Sequence, residues 1–440
     1  MKKKKDNSWK VAVVALLFCV VGLGWMFVYD MNNKLNDTSL NNKIPKINIE
    51  LNEISLEEIK AGSKDQKYEG NKVDIYDNGS TYQYEEVEIK GRGNTTWEQV
   101  KKPYQIKFSQ RVDLLNLGKN KKWVLLANYY DATFLRNDIA LLLTEILEMQ
   151  YNHRGEFVEL YFNDEYEGLY YLVQKIEISN GSVDLKDNLG VLFEIENFSW
   201  HEEDCDESYS GNCLVLKDTV SKDAKEKTEA EKNFMDSFNK FEKAAEKGDY
   251  EKISELIDIE SFAKYFIVSE FTVNPDAYSS SFYFYKDGID DKIHAGPMWD
   301  FDLALGNRSW GWQIDERFYS PYEDMVRERE AFGQDGLKED MCISKDVYYL
   351  MKIPEFKNEV KRIFQEKLMN KKSELLEEIA RKNNEIQKAL LVNHTKWEEK
   401  NFEANYEAMI DWIEARYDYL QTKYGNNEKF IIDQKHFQFL

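Results

Sequence analysis

The feature that most constrains this chain is a change in hydrophobic period: apolar residues alternate from Ile47 to about Tyr171, and from about Pro321 to about Tyr424 they recur at helical spacing. Runs such as Glu86-Val87-Glu88-Ile89, Tyr104-Gln105-Ile106-Lys107-Phe108, Trp123-Val124-Leu125-Leu126 and Phe157-Val158-Glu159-Leu160-Tyr161-Phe162 read as strands, because successive strand side chains point to opposite faces. Asn163-Asp164-Glu165 and Gly168 mark a hairpin into Leu169-Tyr170-Tyr171-Leu172-Val173. One helix interrupts the strands. Asp131 reads as its N-cap, and Phe134, Leu135, Ile139, Leu142, Leu143, Ile146 and Leu147 form its apolar stripe. A final helix carries Met409, Ile410, Trp412, Ile413, Tyr417 and Leu420 on one face. A β-rich half followed by an α-rich half, with no internal repeat, predicts an α+β fold, as one large bilobal domain or two closely packed ones.

The N-terminus adds a second constraint. After Lys2, Lys3, Lys4, Lys5 and Lys10, nineteen residues from Val11 to Tyr29 carry no formal charge, long enough to span a hydrocarbon core. Lysines ahead of the apolar run favour a cytoplasmic N-terminus, so the expected arrangement is a single-pass cell-membrane anchor with the main domain extracellular. A cleaved signal peptide is the alternative, although Trp25, Met26, Phe27 and Tyr29 make a poor small-residue cleavage site. The expected division is a basic tail 1–10, an anchor 11–29, a stalk 30–45, a β-rich lobe 46–200, a charged insertion or linker 201–256, a segment 257–320 carrying the acidic motifs, a helical lobe 321–425 and a tail 426–440.

Net charge is −22 although the first ten residues are basic, so the rest of the chain is strongly acidic and nucleic acid is not an expected partner. Cys205 and Cys213 bracket a polar loop and are placed for a local disulfide in an oxidising compartment, or are two unpaired thiols. No cysteine or histidine spacing resembles a zinc site.

The densest chemistry lies in Asn274-Pro275-Asp276-Ala277-Tyr278 and Gly296-Pro297-Met298-Trp299-Asp300-Phe301-Asp302, three carboxylates in apolar and aromatic surroundings. Desolvated carboxylates are costly without a cation or hydrogen-bond partner, so acids so placed usually have a task. Asp276 is positioned to accept a proton from an incoming hydroxyl, or it begins a structural turn. Asp300 and Asp302 fall on one side of an extended stretch and suit Mg²⁺ or Mn²⁺, with Asn307 after Gly306 as a further oxygen. Upstream, Gly91-Arg92-Gly93-Asn94 joins two predicted strands. Its glycines would let backbone amides approach phosphate and Arg92 would add a charge-assisted contact, although such a hairpin is more often only a tight turn. Lys107 projects from the next strand to reach nucleotide phosphates, with Glu145 on the intervening helix one candidate partner.

Taken in order, Gly91-Arg92-Gly93-Asn94-Thr95-Thr96-Trp97, Lys102-Pro103-Tyr104-Gln105-Ile106-Lys107-Phe108, Trp123 to Asp131, Leu135-Arg136-Asn137, Asn274 to Tyr278 and Gly296 to Asn307 resemble the spore coat protein H (CotH) kinase family over most of residues 47–425. The resemblance implies an atypical, surface-associated kinase with a protein-kinase-like fold, using ATP and a divalent metal on serine or threonine of a protein substrate. By motif it implies Asp276 as catalytic aspartate and Asp300 and Asp302 as metal ligands. One departure stands out: Ser279, Ser280 and Ser281 occupy the stretch where kinase-like centres commonly place a metal-binding asparagine. Transfer of AMP or an amino acid on the same fold, and a non-catalytic surface or adhesion module, are the competing readings.

Overall fold

The computed structural model describes residues 44–197, 204–307, 317, 344–397 and 402–425. The expected anchor, the basic tail and the 426–440 tail lie outside these residues, as do most of the expected stalk and of 308–343. Among the described residues no helix is long and apolar enough to cross a membrane.

Seven strands form a closed barrel: β1 (Lys46–Glu50), β2 (Lys67–Asp77), β3 (Ser80–Gly91), β4 (Tyr104–Asp113), β5 (Lys119–Leu126), β6 (Glu156–Phe162) and β7 (Glu165–Gln174), in the order β1-β2-β3-β4-β5-β7-β6. Parallel pairing of β1 with β6, Ile47 opposite Leu160, closes the ring. Alternation fills its interior with Ile47, Ile89, Tyr104, Ile106, Trp123, Leu125, Val158 and Leu172, all fully buried. Of the opposite faces, Val124, Phe157, Tyr171 and Val173 belong to the larger core shared with the helices, so the barrel packs on the rest of the molecule through this side.

The helices are α1 (Leu56–Ala61), α2 (Arg136–Ile146), α3 (Ala224–Lys247), α4 (Tyr250–Leu256), α5 (Ile259–Thr272), α6 (Lys345–Leu350), α7 (Pro354–Ile363), α8 (Lys372–Trp397) and α9 (Phe402–Tyr424). The remaining strands, β8 (Val191–Ile195), β9 (Asp206–Glu207), β10 (Cys213–Thr219), β11 (Phe282–Lys286) and β12 (His294–Ala295), build a second sheet in the order β12-β11-β8-β10-β9. The architecture is thus mixed α+β, with a β-rich first half and a helical second half.

Two expectations need correction. Of the expected insertion or linker, the described residues 204–256 contribute to the core: β10 pairs with β8, and Phe234, Phe238 and Phe241 of α3 are fully buried in the main cluster. Asp223 caps the start of α3 and Gly248, at φ 69, ends it. Nor is Asp131 the N-cap residue of α2; Leu135 occupies that position, and Asp131 reaches the helix from farther upstream, its Oδ2 accepting the Arg136 N–H at 2.9 Å. Cys205 and Cys213 are joined in a disulfide that closes the loop between β9 and β10.

Candidate active site

α5 ends at Thr272 and is capped by Val273, which adopts a left-handed backbone (φ 46) unusual for a β-branched residue. Asn274 follows, its Oδ1 accepting the Asp276 N–H at 3.2 Å and its carbonyl accepting the Ala277 N–H. The Asx turn therefore starts at Asn274, which leaves the Asp276 carboxylate outside it. Asn274 Nδ2 donates to the Asp300 carbonyl at 2.8 Å, so this one side chain ties the two acidic segments together. Asp300 is not extended: it too is left-handed (φ 66), and the residues from Asp300 onward form turns rather than a strand. Tyr278, Ser281 and Leu305 share positive φ, a concentration of strained backbone typical of functional sites.

The turns bring the acids together. Burial holds the Asp302 carboxyl well above the ordinary carboxylate range, and the negative charges of Asp300, Asp131 and Asp276 push it further, while the Leu303 amide opposes them. Crowding of this kind disfavours ionisation unless a cation shares the site.

Beside the doublet lies a cleft of about 210 Å³ lined by Arg92, Lys122, Lys175, Lys217, Glu177, Asp218, Tyr283 and Trp299. Arg92 stacks 5.2 Å over the Trp299 ring, and its Nη1 is buried with no hydrogen-bond partner in the protein. Lys122 pairs with Glu177 at 2.5 Å and Lys217 with Glu194 at 2.8 Å. Burial pulls Lys175 down to about 8, and neighbouring Lys122, Arg92 and Lys217 add to the effect against Glu177.

The other nucleotide-contact expectations fare differently. Lys107 pairs with Glu88 at 3.5 Å and is not among the cleft-lining residues, while Glu145 pairs with Arg154 at 3.0 Å, so no Lys107–Glu145 pair forms. Asn94 is exposed and accepts from Lys64 Nζ at 2.7 Å. Gly91 has a packing reason, since a Cβ there would lie 2.5 Å from the Trp97 ring, and Gly93 has a conformational one (φ 80). Cationic residues missed in the sequence are Lys122, Lys175 and Lys217. Lys122 was within reach of pattern reasoning, because it sits directly opposite Lys107 across the β4–β5 register.

The crowding of Asp302 by its acidic neighbours would be relieved by a divalent cation, and the buried unpartnered Arg92 nitrogen among lysines fits phosphate oxygens. Among the described residues there is no group of three or more His, Cys, Asp or Glu at metal-holding spacing, so a cation here would draw on the Asp300–Asp302 pair with oxygens from Asn307 and the nucleotide. Asn307 Nδ2 donates to the carbonyls of Asp302 at 2.6 Å and Tyr130 at 2.7 Å, bonds that fix the side chain beside the doublet and do not involve Oδ1, the expected further oxygen.

Among curated proteins none matches the chain. Among solved structures it is similar to the crystal structure of a Helicobacter pylori proinflammatory kinase, CtkA, at 13% identity over 80% of this chain and 92% of that one, with a TM-score of 0.24. A family model described as CotH kinase protein matches residues 89–420, about three quarters of the sequence, including the glycine-rich turn, the cleft lysines, both acidic segments and most of the helical half. This chain belongs to the CotH kinase family.

Proposed function

We propose that this kinase transfers the γ-phosphoryl group of ATP to a serine or threonine hydroxyl of a surface or coat protein, in a reaction that depends on Mg²⁺ or Mn²⁺ held by Asp300 and Asp302. Family membership implies an ATP-using, kinase-type enzyme; the acceptor, the metal and the residue roles are the added steps. The observation that carries the metal and the residue roles is the crowding of Asp302 by Asp300 and Asp276 beside a cleft of cationic side chains.

Arg92 and Lys175, with Lys122 and Lys217 behind them, bind the phosphate oxygens. Asp276, outside its own turn and partly exposed, orients the acceptor hydroxyl and takes its proton as the new oxygen–phosphorus bond forms. The bond from the γ-phosphorus to the bridging oxygen breaks, and the charge left on ADP is met by the same cationic groups. A divalent cation, when bound, supplies further positive charge to the phosphates. The cleft walls, Tyr283 and Trp299, exclude water from the transferred group.

The anchored, extracellular placement is part of the proposal. It rests on the lysine-flanked apolar run from Val11 to Tyr29 and on the Cys205–Cys213 disulfide, a bond that persists in oxidising compartments. Protease accessibility of intact cells separates this topology from its inverse.

The direct test is incubation with labelled ATP, Mg²⁺ or Mn²⁺ and a mixture of cell-surface proteins, with intact mass distinguishing added phosphate from AMP or an amino acid. Asp276→Ala abolishes transfer, by about a hundredfold or more, while metal-dependent nucleotide binding survives; Asp302→Ala weakens both. Turnover of Asp276→Ala within a few-fold of wild type would remove Asp276 from the chemistry.

A further inference from the structure

The backbone of the acidic turn is held by side chains more than by a strand. Asn137 Oδ1 accepts the Phe301 N–H at 2.9 Å, and Arg136 Nε donates to the Ala304 carbonyl at 3.0 Å. Arg136 and Asn137 are the first two residues of α2, buried to 4% and 5% exposure, and more than a hundred and sixty positions from the groups they hold. They are themselves fixed from the barrel side. Arg136 is ion-paired with the fully buried Asp131, and Asn137 Nδ2 points at Asn128 Oδ1 at 3.5 Å.

We propose that Arg136 and Asn137 are positioning residues that set the conformation of the Asp300–Leu305 turn, so that the seating of α2 on the barrel determines whether Asp300 and Asp302 face the cleft. Asp300 holds a left-handed backbone, which persists only where surrounding contacts over-determine it. Immediately after it, the amide clamped by Asn137 belongs to Phe301, whose side chain is buried in the core. Without that acceptor the buried N–H has no partner, and the turn gains by relaxing toward solvent or another carbonyl. Arg136 acts at the far end of the same turn, so the two clamps fix its ends. Because both sit on one helical turn of α2, a shift of that helix moves both ends together. The inference rests on the assignment of Asp300 and Asp302 as cation ligands, but its structural part does not.

The test compares Asn137→Ala with Leu142→Ala in the full chain. Leu142 lies on the same helix, is buried, and has no hydrogen bond to the turn. Hydrogen exchange of the amides from Phe301 to Leu305, Mn²⁺ affinity by electron paramagnetic resonance without nucleotide, and thermal midpoint are measured on each. In Asn137→Ala, exchange at the turn accelerates about tenfold and Mn²⁺ affinity falls about fivefold or more, in proportion to the loss of one buried hydrogen bond. Leu142→Ala lowers the thermal midpoint at least as far and leaves turn exchange and Mn²⁺ affinity unchanged. Asn137→Asp, which keeps an oxygen for the Phe301 amide but loses the donor to Asn128 Oδ1, brings exchange part of the way back to the wild-type rate. Unchanged exchange in Asn137→Ala, or equal acceleration in Leu142→Ala, overturns the proposal. A wild-type chain with no affinity for Mn²⁺ removes the metal role of Asp300 and Asp302 instead, and the exchange comparison alone then decides the positioning role.

Discussion

Lys175 shows how one cleft residue couples ligand binding to protons. Burial and three neighbouring cations hold its ammonium near 8, so in the free enzyme it is charged below that pH and neutral above it. Phosphate oxygens favour the charged form, so nucleotide binding takes up a proton wherever the free lysine has lost one. The sign follows: affinity is full below pH 8 and declines above it, by about tenfold at pH 9 if binding requires the ammonium. A pH series of ATP binding checks this, and Lys175→Arg, which stays charged, should flatten the decline. Residues of this kind mark the limit of reading from sequence. Asp276 and the Asp300–Asp302 doublet stood out because each is an acid among aromatics and aliphatics. Choosing between Lys107 and Lys122 required knowing which strand of the β4–β5 pair lies nearer the cleft, and alternation gives only the face, which the two lysines share.

Among the elements, α3 reads as helical, but its place in the core was hidden by its composition. The stretch from Ala224 to Lys247 is dominated by charged residues, yet Phe234, Phe238 and Phe241 recur at helical spacing on one face, which is enough to bury a helix against a sheet. Their rings pack in series: Phe234 stacks on Phe193 of β8 at 4.1 Å, and Phe238 meets Phe284 of β11 edge-on at 5.2 Å. α3 therefore covers the sheet from which β11 runs back to the Asn274–Ser281 segment. A linker would tolerate truncation of Phe238 almost without cost. Phe238→Ala should instead destabilise the protein by about 3–5 kcal/mol, as expected for a fully buried phenylalanine, and chemical denaturation measures the difference. α2, by contrast, was legible from its stripe of Leu and Ile. Its start was not, because the irregular stretch from Asn128 to Leu135 carries left-handed residues at Asn128 and Phe134 that no periodicity reports.

At the scale of the whole molecule, the division into a β-rich and a helical half followed from hydrophobic period, whereas closure of the barrel did not, because β1 finds β6 across more than a hundred residues and alternation within each strand names no partner. The junction between the barrel and the second sheet holds the group that should govern acid stability. His153, just ahead of β6, is buried, and its Nε2 lies 2.5 Å from Ser182 Oγ in the segment leading to β8. Burial pulls its pKa down to about 4. The unfolded chain binds a proton near 6.5 and the folded chain resists until about 4, so this contribution is intact above pH 6.5 and is lost as pH falls through that window, by about 3 kcal/mol in total. A net charge of −22 acts oppositely over the same range, since protonation of surface acids relieves self-repulsion. The two effects separate in His153→Gln, which keeps a polar group near the Nε2 position and cannot titrate. Unfolding free energy measured at steps from pH 7 to 4 should fall more steeply in the wild type than in His153→Gln. Parallel curves would mean that His153 takes up its proton within the fold as readily as in the unfolded chain, and that acid sensitivity arises elsewhere.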